Sequence, residues 1–173
     1  MPTLTVTKTT GGKTKPMLMT VAAPSQRMTP DQLKKFGGIS AINGASFADL
    51  LSSFAAHERC GAHLYRTLAG MTTMPEMKQK YEEYGRETAQ HITIYEDLIR
   101  ELGGDPQYVS PQARMTEFMA NQLMEPFMFT GSVDMKTTEL AGIEALVLAE
   151  TKCHANWSLL SKLVQQLPDG KAK

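Results

Sequence analysis

The chain has 173 residues, zero formal net charge and 42% hydrophobic residues, enough for one compact domain. No run approaches the roughly 20 apolar residues of a membrane span, so a soluble protein is expected, and the neutral balance argues against a dedicated nucleic-acid binder. Two cysteines, Cys60 and Cys153, exclude a disulfide-dependent scaffold and are read as reduced packing thiols of a cytoplasmic protein.

Residues 1–45 read as a basic arm outside the main body. Residues 1–43 carry six Lys or Arg against one acid, Asp31, which leaves +5 there and −5 on the remainder. Such an arm docks on acidic surfaces, including those of neighbouring copies, or stays solvated. Thr3 to Thr7 alternates, Gly11-Gly12 turns, and Met17 to Val21 extends again, the pattern of a hairpin that needs a partner for stability. The apolar run Met17 to Ala23 is too short and too far along the chain to read as a signal sequence. Thr29-Pro30-Asp31-Gln32 starts a short helix, Gly37-Gly38 stops it, and Asn43-Gly44 marks a turn.

Four long helices are expected over 46–70, 74–103, 110–130 and 133–167, followed by a tail at 168–173. Ser46 and Asp49 form a capping-box pattern at the first. Its stripe then runs Phe47, Leu51, Phe54, Glu58, Gly61, Tyr65 and Leu68 in helical steps. Pro75 opens the second, whose stripe includes Tyr81, Tyr84, Glu87, His91 and Leu98, and Gly103-Gly104 ends it. Ser110-Pro111 opens the third, with Met115, Phe118 and Met119 inward, and Pro126 should kink or end it. The fourth carries Ile143, Val147, Glu150, His154, Trp157, Leu160 and Val164 on one stripe. Phe47, Phe54, Tyr84, Leu98, Phe118, Val147 and Trp157 are predicted to be buried. Twelve Met residues suit an irregular helical core, and Met115, Met119, Met124 and Met128 are assigned to it. The expectation is an all-α, antiparallel four-helix bundle over 46–167 with a non-bundle N-terminal arm.

Acids and imidazoles sit in the middle of three of these apolar stripes. Glu87-Thr88-Ala89-Gln90-His91 and Glu150-Thr151-Lys152-Cys153-His154 repeat the phrase E-T-x-x-H, and Glu58 is the acid of the first helix. Residues four apart leave one face of a helix, so each Glu and His project together. Unpaired buried carboxylates are unfavourable, and hard carboxylates with imidazoles in a dry core are a donor set for Fe or Mn. Glu58, Glu87, His91, Glu150 and His154 are therefore the candidate ligands of one or two ions. Each Glu–His pair holds one ion, with Glu58 bridging. His57 and His63 flank the stripe and are read as core or surface residues.

Over 46–167 these features resemble the ferritin-like superfamily, the di-iron carboxylate four-helix bundles. The resemblance rests on Glu58, on E-T-A-Q-H at 87–91 with the helix ending at Gly103-Gly104-Asp105-Pro106, and on E-T-K-C-H at 150–154. It implies redox chemistry on oxygen or peroxide, as in an oxidase, a ferroxidase or a peroxide-consuming enzyme, or iron handling. The family's Glu-x-x-His spacing is here Glu-x-x-x-His, and the third helix offers no stripe carboxylate. The rival expectation is a metal-free helical scaffold that forms a homo-oligomer through its arm. There the Glu–His layer is a hydrogen-bonded network. A DNA-protecting miniferritin is disfavoured by the acidic body.

Overall fold

The computed structural model describes residues 4–6, 18–20, 27–36, 42–128 and 134–167. Two short strands, β1 (Leu4–Val6) and β2 (Leu18–Thr20), pair antiparallel with Leu4 opposite Thr20. Everything else regular is helical: α1 (Pro30–Lys35), α2 (Gly44–Met71), α3 (Pro75–Glu101), α4 (Pro111–Met124) and α5 (Met135–Val164). Pro126 ends α4 as its missing donor requires, leaving one 3-10 turn, Glu125–Met128. The breaks at Gly11-Gly12 and Gly37-Gly38 and the 168–173 tail lie outside the described residues. No described helix is long and apolar enough to cross a membrane.

Local chemistry sets the helix ends. Thr29 and Gln32 form a reciprocal capping box on α1, at 3.2 and 2.7 Å. Asn43, rather than the expected Ser46, caps α2 by accepting from Ser46 N at 3.0 Å. Ser110 caps α4 and Asp134 caps α5. Gly103 takes a left-handed φ of +83° after α3, and Gly104 N–H closes the end by donating to Ile99 O at 2.8 Å. A Cβ on Gly104 would stand 2.3 Å from the Phe36 ring, so the helix end also makes room for α1.

Helix α2 is the hub, packing against α1, α3, α4 and α5. One core cluster joins Phe47, Leu51 and Phe54 of α2 to Tyr95, Leu98 and Ile99 of α3 and Leu160 of α5. A second, one end further along α2, joins Leu64, Tyr65 and Leu68 to Tyr81 and Ala145. Met28 and Phe36 belong to the first cluster, and Phe36 meets Phe47 edge-on at 5.9 Å. This part of the expected arm therefore fills the core instead of lying outside it.

Phe47, Phe54 and Leu98 are buried, as their stripes predict, and Trp157 is half-buried. Tyr84, Phe118 and Val147 are instead 42, 66 and 58% exposed, and Met115 and Met119 also face outward. The reason lies in α5 and α4. Helix α5 is apolar on several sides, so periodicity does not single out its inner face. In its N-terminal half the buried face carries small residues, Thr138, Gly142 and Ala145, beside Glu139; further along it buries Asn156 and Leu160. A Cβ on Gly142 would reach 2.2 Å from Leu68 Cδ2 and 3.1 Å from the Phe127 ring, so the Leu68 and Phe127 side chains pack onto this face of α5. Helix α4 fully buries only small residues, Ala113 and Thr116. Met115, Phe118 and Met119 are left on the outside, while Leu123 and Met124 pack half-buried against the second cluster.

Candidate metal centre

Between the two core clusters α2 carries Glu58, which is 2% exposed. A carboxylate so buried needs partners, and two other helices supply them. His91 of α3 places Nδ1 3.2 Å from Glu58 Oε2, and the Cys153 thiol of α5 donates to Glu58 Oε1 at 3.2 Å. The donor atoms of Glu58, His91 and Cys153 all lie within 4.8 Å of one another. One carboxylate, one imidazole and one thiol, each from a different helix, thus converge on one point. The elements holding them are firmly tied. Ser52 Oγ donates to Tyr108 O, and Ser110 Oγ to Asp49 O, pinning the loop after α3 onto α2.

The surroundings are aromatic. Trp157 sits edge-on to His91 at 4.9 Å and beside Tyr95 at 4.6 Å. Tyr95 Oη is buried with no protein hydrogen-bond partner. Trp157 Nε1 also lacks one. Burial pushes the Glu58 pKa up; hydrogen bonds from Cys153 and His91 oppose this, and the nearby Glu150 charge adds to it. Burial, followed by the Glu58 charge, pushes the Cys153 thiol up to about 12. The thiol is thus protonated and acts as a donor to Glu58. The Tyr95 phenol is also shifted upward, first by burial and then by Glu58.

The five residues expected to converge are distributed unequally. Glu58 and His91 meet at the centre. Glu150 is exposed and accepts from Tyr65 Oη at 2.7 Å, close enough for its charge to reach Glu58 and Cys153. Glu87 and His154 are exposed and lie outside the three-donor group. Each helical residue turns the side chain by about 100°, so Cys153 and His154 cannot both face α2. On α3 the inward residue of the first turn of the motif is Thr88, packed toward Gly61, and not Glu87. Cys153 is the donor that sequence reasoning assigned to packing; its signal was its place inside the repeated phrase. His57 is a core histidine, its Nε2 3.0 Å from Ala149 O, and burial lowers its pKa to about 4. His63 is on the surface.

Fold and site together define a protein with a helical body and a candidate three-donor metal site. No protein-family model, curated protein or solved structure matches the chain.

Proposed function

We propose that the chain is a divergent ferritin-like metal protein that holds one transition-metal ion on Glu58, His91 and Cys153 and serves redox chemistry or iron handling. The observation that carries this reading is the convergence of three ligating side chains from three helices within 4.8 Å. Two further features fit it. The buried Tyr95 and Trp157 polar atoms border the same point without partners of their own, and three protein donors leave coordination positions open for an exogenous ligand such as oxygen or peroxide.

The donor set refines the choice of ion. Carboxylates alone suit Mn, whereas a mixed N, O and S set suits Fe or Zn better. Iron is the assignment that agrees with both the donors and the ferritin-like resemblance. Glu150 stands next to the centre and is the residue to hold a second ion, should the site be dinuclear. In this reading Cys153 gives up its thiol proton when it ligates, because the thiolate is the ligand form. Glu58 is shielded from bulk water, whereas His91 and Cys153 are half-buried and leave an approach for the ion.

One observation favours the rival, a metal-free self-assembling scaffold: both Glu58 oxygens already have partners. Elemental analysis of protein purified without chelator separates the two. The metal reading expects close to one Fe per chain in the wild type and its loss from both His91→Ala and Cys153→Ala at unchanged helicity. A metal-free wild type that stays empty after incubation with Fe(II), Mn(II) and Zn(II) refutes it.

A further inference from the structure

A cleft of about 460 Å³ opens between α2, α4 and α5. That volume falls within the range of small-molecule sites, which are mostly apolar with a few placed polar groups. Its walls are built by Leu64, Leu123, Leu148 and the outward Phe118 and Met119. Among the described residues no Asp or Glu lines it. Of its polar side chains, Thr116 is bonded to Ser53 at 2.9 Å and His57 to Ala149 O. Lys152 supplies the positive charge.

The ammonium of Lys152 lies 6.0 Å from the centre of the Phe54 ring and makes no ion pair among the described residues. Its one hydrogen bond among the described residues is to Asn156 Oδ1, at a long 3.4 Å. A half-buried cation in the wall of an apolar cleft is complementary to one kind of small molecule. We propose that this cleft binds an apolar-tailed monoanion, a medium-chain carboxylate, with its tail along Leu64, Leu123 and Leu148 and its head group on Lys152. The proposal does not depend on the metal reading.

Isothermal titration of the full-length chain with decanoate, decanol and decyltrimethylammonium, each below its micellar concentration, tests the proposal. Decanoate should saturate one site per chain and bind at least roughly tenfold more tightly than the cationic homologue, the scale of one charge-assisted hydrogen bond. Lys152→Met, which keeps the apolar stem, should weaken decanoate by about tenfold and leave decanol unchanged. Ala120→Phe, at unchanged far-UV circular dichroism, should abolish binding by filling the cleft. Unsaturable decanoate binding, equal affinity for all three head groups, or indifference to Lys152→Met overturns the proposal. So does a dimer that takes up no decanoate and that Phe118→Glu splits, because a second copy would then occupy the cleft.

Discussion

At the scale of single residues the centre and the surface ion pairs behave differently. Glu58 is buried and bonded at both oxygens, so removing a partner leaves an unsatisfied group worth about 1–3 kcal/mol. His91→Ala without metal should therefore lower the unfolding free energy measured in urea by that amount, and Glu58→Leu should be milder, since it removes the buried carboxylate and leaves without this partner only His91 and Cys153, which are half-buried. A His91→Ala midpoint equal to the wild type would show that the contact carries no stability. Glu96 illustrates the surface case. The Arg59 guanidinium 3.0 Å away, helped by Arg100, holds its carboxyl below the usual range. A pKa depressed in the folded state adds stability above the unfolded value of about 4.3, and that stability is lost as pH falls through the folded value. Glu96→Gln should flatten the acid limb of stability between pH ~6 and ~3, by less than about 1 kcal/mol because Arg59 and Arg100 are partly solvated. Urea midpoints across that range measure it, and an unchanged slope would deny the ion pair any role.

At the scale of elements, what the sequence made legible was helix existence and ends. Thr29, Pro75, Ser110, Pro126 and Gly103 act through local capping, fixed φ or a left-handed turn, which need no knowledge of neighbours. What stayed hidden was which face turns inward. The large stripe of α5 looked like the core side, yet Leu68 and Phe127 pack onto the face with Gly142 and Ala145, a tertiary choice that periodicity does not encode. The same rotation decided the site. Glu58 and His91 were legible as acid and imidazole on apolar stripes, but choosing among Glu150, Cys153 and His154 needs the helix phase to better than one residue. Two other glycines test the effect of close packing. A Cβ on Gly44 would lie 2.5 Å from Leu33 O, a backbone atom that cannot rotate away, whereas nothing lies within 4 Å of Gly70. Gly44→Ala should displace α1 and destabilise by about 1–3 kcal/mol. Gly70→Ala should instead stabilise by up to about 1 kcal/mol through helix propensity. Thermal melts of the two variants moving in the same direction would contradict the packing argument.

For the whole molecule, α2 works as a spine that joins two apolar clusters across a polar layer, and the proposed function resides in that layer. Met28 and Phe36 belong to the first cluster, so an N-terminal deletion that tests assembly has to stop before them. Removing residues 1–26 should keep the helical signal and, if the basic segment contacts other copies, lower the mass measured by light scattering. The central claim concerns the nature of the donors, and X-ray absorption at the metal edge of protein purified without chelator tests it most directly. The account predicts iron with one sulfur neighbour at about 2.3 Å beside nitrogen and oxygen at about 2.0–2.2 Å, the sulfur disappearing in Cys153→Ala. A protein that takes up no metal, or a metal shell without sulfur, would contradict it.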